Sequence, residues 1–94
     1  MRSLLEFVRK GNDLKVTVVV TLKADVLDPE GEAIRKVSRS LGYEAVEGVR
    51  QGKFFEIDIE GRTEQEAKSL AEDLAEKFLA NPVIEDYRVE RVEL

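Results

Sequence analysis

Ninety-four residues, 43% hydrophobic and 37% charged, with 15 Lys plus Arg against 20 Asp plus Glu, describe one small domain of net charge −5. The absence of both Cys and His removes thiol nucleophiles, disulfides, Cys/His zinc sites and imidazole bases together. The acidic balance opposes nucleic-acid binding, which needs a surplus of Lys and Arg, and no apolar run approaches the roughly 20 residues that span a bilayer.

Residues 1–13 read as an N-terminal extension, either an extra strand or a short helix ending at Gly11-Asn12-Asp13. Glu6 interrupts the apolar Leu4, Leu5, Phe7 and Val8, and no small-residue cleavage site follows, so a mature cytoplasmic protein is expected. Residues 14–94 form the single domain. From Leu14 to Lys23 the chain alternates, with Leu14, Val16, Val18, Val20 and Leu22 on one face and Lys15, Thr17, Val19, Thr21 and Lys23 on the other, the pattern of a half-buried strand. Asp28-Pro29 then supplies an N-cap carboxylate and the residue preset for the first helical position. The helix that follows would bury Ala33, Ile34, Val37 and Leu41, turn Arg35, Lys36 and Arg39 outward, and stop at Gly42.

Tyr43 to Arg50 carries Val46 and Val49 with weak alternation, and Gln51-Gly52 supplies a turn before Phe55, Ile57 and Ile59 alternate with Glu56, Asp58 and Glu60. Together they predict a hairpin of two strands. Thr63 to Glu66 has the spacing of a capping box, opening a helix with the apolar stripe Ala67, Leu70, Ala71, Leu74, Ala75 and Phe78 that Asn81-Pro82 ends. In the last segment Val83, Tyr87 and Val89 share one parity and Val92 and Leu94 the other, so a bulge is expected near Glu90. Such a bulge raises the prospect that the chain end leaves its own sheet for a neighbouring subunit.

The order β-α-β-β-α-β predicts an α+β, ferredoxin-like two-layer sandwich: a four-stranded antiparallel sheet with both helices on one face. The bare face would carry Val19 and Phe54 at its centre, an apolar patch suited to a partner or a second copy.

Fold does not set function, so each chemistry is tested on residues. The first loop, Ala24-Asp25-Val26-Leu27-Asp28, holds no cysteine for a metal and two acids that would repel a phosphate. The first strand offers Val and Thr where base-stacking aromatics would be needed. Carboxylate pairs such as Glu56 with Asp58 or Glu85 with Asp86 fit a solvated strand face, and no catalytic residue, metal ligand or cofactor site is nominated. One contrast remains: from Arg35 to Lys53 there are five positive residues and two negative, in an otherwise strongly acidic chain. Such polarity orients a small domain between partner surfaces.

Three stretches carry more specific information: Leu27-Asp28-Pro29-Glu30-Gly31, Val49-Arg50-Gln51-Gly52-Lys53, and Leu79 to Tyr87, which reads Leu-Ala-Asn-Pro-Val-Ile-Glu-Asp-Tyr. In order and spacing they resemble the PurS family, the small subunit of phosphoribosylformylglycinamidine (FGAM) synthase, over about residues 14–94, with departures at Asp25 and Glu30. The resemblance implies a non-catalytic subunit without a cofactor of its own. Its work is in purine biosynthesis, bridging an ATP-dependent PurL-type synthetase and a PurQ-type glutaminase, as a homodimer or tetramer, with no nucleic acid and no membrane.

The motif positions carried over are Asp28, Pro29, Gly31, Arg50, Gly52, Lys53, Asn81, Pro82 and Tyr87. Capping, turn and helix-termination rules already account for Asp28, Pro29, Gly52, Asn81 and Pro82. No backbone rule demands a cation at Arg50 or Lys53, which are therefore read as contacts to an acidic partner. The rival reading is a stand-alone regulatory module that binds a small metabolite between two copies.

Overall fold

The computed structural model describes residues 13–94, so the extension expected over residues 1–13 lies outside the described residues except for Asp13. Strand β1 spans Leu14–Leu22, helix α1 Pro29–Ser40, strand β2 Gly52–Ile59, helix α2 Glu64–Leu74 and strand β3 Glu85–Glu93. The strands form one antiparallel sheet in the order β2-β1-β3.

The alternation in β1 determines the core. Val16, Val18 and Val20 are fully buried, Leu14 and Ile59 nearly so, and Ala67, Ala71 and Ala75 of α2 close over them. Small alanines let this helix sit close to the sheet. Its start is fixed by the expected capping box: the Glu66 N–H donates to the Thr63 hydroxyl and the Thr63 N–H to the Glu66 carboxylate, both at 3.2 Å.

At its far end α2 runs into a π-helical turn, Ala75–Leu79, in which the Ala80 N–H donates to Ala75 O, five residues back. The wider turn corrects the expected stripe. Phe78 rotates out to 77% exposure, and Leu79 takes its place against the core.

The bulge expected near Glu90 is present. Val18 faces Val89 while Thr17 faces Arg91, which leaves Glu90 as the extra residue. Tyr87, Val89 and Val92 thereby all pack against the core. Val92 pairs with Val16 on the home sheet, so β3 does not leave for a neighbour through Glu93.

The expected four-stranded sandwich with two helices on one face is corrected at two points. Residues 43–50 form no strand, and α1 does not pack on the sheet; the helix contacts that matter are those of α2 with β1 and β3. Backbone hydrogen bonds explain both. The Tyr43 N–H donates to Ser38 O and the Gly42 N–H to Arg39 O, with Gly42 at φ 99°, so α1 ends in a complete Schellman motif that claims Tyr43. Arg39 then donates to the carbonyls of Glu44 and Val46 at 2.8 and 3.1 Å, and Asp28 takes the Gln51 N–H at 2.7 Å. The segment is bonded back along α1, not to the edge of β2.

The result is elongated. The Cα radius of gyration is 17.2 Å, whereas a compact chain of this length has about 12 Å. The stripe expected to be buried stands in solvent, with Ile34, Val37 and Leu41 at 46%, 56% and 70% exposure.

Candidate functional site

Asp28, Pro29, Gly31 and Arg50, four of the residues singled out in the sequence, gather at the start of α1. Asp28 is the N-cap: one carboxylate oxygen accepts from the Gly31 N–H at 2.9 Å, and the other from the Gln51 N–H at 2.7 Å. These two backbone donors, Gln51 foremost, hold the acid below its ordinary value of 3.8, with the nearby Arg50 charge acting in the same sense. Pro29 occupies the first turn. Gly31 is buried so close to the carbonyl of Val49 that a side chain there would collide with backbone, which explains a glycine in the first turn of a helix that it otherwise weakens. Glu30 accepts from the Gln51 side-chain amide at 2.5 Å.

Arg50 completes the latch from the other side. Its guanidinium donates to Leu22 O and Val26 O at 3.2 Å and to Lys23 O at 2.8 Å, so the cation gathers carbonyls from the end of β1 and from the loop that follows it. This intramolecular work was invisible in the sequence, because the carbonyls belong to residues more than twenty positions away. A cleft of about 460 Å³ lies beside it, walled by the Ala24–Asp28 loop, Glu32, Arg35 and residues 47–50.

Lys53 takes a different position. It opens β2 opposite Val20 and its ammonium stands 3.6 Å from the largely buried Glu85 carboxylate. Gly52 permits the approach of β2 to β1, since a Cβ there would meet Val20 O at 2.5 Å. Asn81 organises the turn into β3: its side chain accepts from the Val83 N–H at 3.0 Å while its N–H donates to Glu85 at 2.7 Å. Pro82 is exposed beside it. Tyr87 faces α2, where burial pushes its phenol above the ordinary value of 10.0 and Glu76, Glu72 and Asp73 add to the shift.

Val19 and Phe54 face each other across β1 and β2 on the side of the sheet away from α2, with Phe54 64% exposed. Around them Lys15 pairs with Glu56 at 3.4 Å and Lys23 with Asp86 at 2.8 Å. The sequence reading singled out residues that the structure sets in three places, the foot of α1, the outer sheet face and the entry to β3. It did not find Arg39 or the Gln51 N–H, whose signal is only that a weakly alternating segment follows a complete helix stop.

Among the described residues, no group of three or more His, Cys, Asp or Glu is gathered to hold a metal, and no helix is long and apolar enough to cross a membrane. A presented amphipathic helix, an apolar sheet patch and a latch made of backbone bonds define a protein–protein interaction module.

The PurS model, described as phosphoribosylformylglycinamidine (FGAM) synthase, matches residues 15–93. The Bacillus subtilis FGAM synthase subunit PurS is 46% identical over 76 residues, covering 81% of this chain and 89% of the relative. Methanocaldococcus jannaschii PurS, a subunit of formylglycinamide ribonucleotide amidotransferase, has a solved structure that superposes with TM-score 0.76 at 40% identity, covering 85% of this chain and 95% of that one. A chain in the structure of PurLQS from Thermotoga maritima superposes with TM-score 0.77 at 32% identity, covering 87% and 98%. This chain belongs to the PurS family, the PurS subunits of FGAM synthase, as its three motifs implied.

Proposed function

We propose that this chain is the non-catalytic small subunit that bridges the ATP-dependent synthetase and the glutaminase of FGAM synthase and supports ammonia transfer between them. The observation that carries the reading is the likeness, over nearly the whole of both chains, to a chain solved within PurLQS. The site agrees with it physically: apolar surface is exposed on α1 and on the outer sheet face, in a chain whose charge is polarised, as suits a subunit that orients larger partners. The reading carries with it a cytoplasmic location and no cofactor bound by this chain.

The test is amidine formation by the partner synthetase and glutaminase, with and without this protein, using glutamine or a high concentration of ammonium. A requirement with glutamine that falls away with ammonium assigns coupling to this chain. Equal rates with and without it under both conditions overturn the proposal.

A further inference from the structure

The side of the sheet that α2 does not cover is apolar at its centre. Val19 and Phe54 face each other there across β1 and β2, and Phe54 is 64% exposed, while Thr17, two residues back along β1, is buried. On the other side α2 closes over Val16, Val18 and Val20 and leaves no room above the central strand. An aromatic ring displayed at the middle of a sheet face is a surface in want of a second layer.

The residues that precede β1 supply a matching pattern. At about 100° per residue, Leu4, Leu5, Phe7 and Val8 fall on one side of a helical wheel and Arg2, Glu6, Arg9 and Lys10 on the other. A helix of this length is marginal by itself in water, so the apolar stripe needs a surface to rest on. The match to the PurS family begins at residue 15, which makes this stretch an addition to the family pattern and not a part of it.

Connectivity selects the surface. β1 is the central strand, with β2 and β3 on its two sides, so a chain reversing at Gly11-Asn12-Asp13 cannot pair beside β1 and has to pass over a face. A helix over residues 2–10 spans about 13 Å, and the three linking residues add at most about 10 Å. Val19 lies about 20 Å along β1 from Asp13, within that reach. The α1 stripe is out of range, because α1 starts only after β1 has ended at Leu22, about 30 Å from its start. Charge favours the same destination. The residues before Asp13 hold three cations and one acid in a chain of net charge −5, and Arg9 and Lys10 sit next to the reversal, close to Glu56 and Asp58 on the outer side of β2.

We propose that residues 2–10 fold back as an amphipathic helix across the outer face of their own sheet, seating Leu4 and Leu5 on Val19 and Phe54 and laying Phe7 and Val8 over Thr17, with Arg9 and Lys10 flanking Glu56 and Asp58. The sheet then lies between two helical layers, α2 on one side and this segment on the other. The α1 stripe of Ile34, Val37 and Leu41 stays open to other contacts, and the inference does not depend on the proposed bridging role.

The chain has neither tryptophan nor cysteine, so both can serve as reporters in the full-length protein. In Phe54→Trp the introduced indole should emit at short wavelength and resist acrylamide quenching; adding Leu4→Asp/Leu5→Asp should move the emission to longer wavelength and raise the quenching. The same emission with and without the two aspartates overturns the proposal, as does burial of the reporter only when synthetase or glutaminase is added. Cross-linking with a short bis-maleimide identifies the occupant. A Leu5→Cys/Phe54→Cys chain should close on itself at monomer mass, even when labelled and unlabelled copies are mixed, whereas Leu5→Cys/Val37→Cys should not. Labelled–unlabelled pairs as the main product, which would assign the face to a second copy, no linkage between positions 5 and 54, or equal linkage to position 37 overturns it.

Discussion

Asp28 and Gln51, 23 residues apart, share a 2.7 Å hydrogen bond that ties the first turn of α1 to the entrance of β2. Because the same carboxylate caps the helix through Gly31, helix formation and helix placement depend on one ionised group. Its value in the folded chain lies below the ordinary 3.8. The stabilisation is therefore complete above that ordinary value and is lost as pH falls through the depressed one. Amide exchange at Gly31 and Gln51 should accelerate in acid below about pH 4, and Asp28→Asn should exchange faster at neutral pH with much of that acid dependence gone. A pH profile identical to the native one would show that the carboxylate charge does not hold the latch.

Glycine substitutions separate close approach from ordinary loop freedom. Gly31→Ala pushes a methyl group into the carbonyl of Val49, and Gly52→Ala places one against Val20 O, whereas nothing lies within 4 Å of a Cβ at Gly48. The first two should each lose about 1–3 kcal/mol, as overpacked sites do, and Gly48→Ala should stay within about 0.5 kcal/mol. Urea unfolding of the three variants checks the ranking.

Removal of the α2 cap gives a smaller, local effect. Thr63→Ala deletes the hydroxyl that accepts the Glu66 N–H and should cost about 1 kcal/mol, which for a domain of this size lowers Tm by roughly 4–8 °C. Thr63→Ser keeps the acceptor and should melt close to the native temperature.

Arg50 and Lys53, alike in the sequence, should part company on substitution. Arg50→Ala removes the donor to three carbonyls and should reduce both stability, by about 1 kcal/mol, and affinity for the other subunits. Lys53→Ala loses a 3.6 Å pair between an exposed lysine and the largely buried Glu85, and because the Asn81 N–H still bonds that carboxylate the cost to stability should stay near about 1 kcal/mol. Any clear fall in its affinity for synthetase and glutaminase would therefore report contact with a partner. Melting curves and binding isotherms on the same samples distinguish the two effects.

At the alkaline end Tyr87 sets a limit. Its phenol ionises above 10.0 in the folded chain because burial, and then Glu76, Glu72 and Asp73, oppose the phenolate. The folded state thus holds this proton more tightly than the unfolded one, and stability falls as pH rises beyond about 10. Tyr87→Phe should flatten that decline in melting temperature between pH 9 and about pH 11.

Local rules carried the sequence reading wherever a side chain answers to its near neighbours. Asp28 as cap, Gly42 as helix stop, the Thr63–Glu66 box and the extra residue at Glu90 are all bonded or placed as those rules require. The reading failed where a backbone group had two possible partners. Val46 and Val49 suggested a strand, but Arg39 and Asp28 claimed the segment's hydrogen bonds, and periodicity holds no record of that competition. The same limit applies to Ile34, Val37 and Leu41, whose pattern specifies an apolar face without specifying that this sheet covers it.

The π-helical turn at Ala75–Leu79 accommodates one residue beyond regular α-helical phase. A single-residue deletion within it should let the ordinary i to i+4 ladder run through and rotate the remaining residues by about 100° relative to the core. Phe78 would then turn toward the sheet instead of solvent. Loss of one codon in this short stretch is therefore a switch between two surfaces: one that displays an aromatic side chain near the β3 junction, and one that hides it.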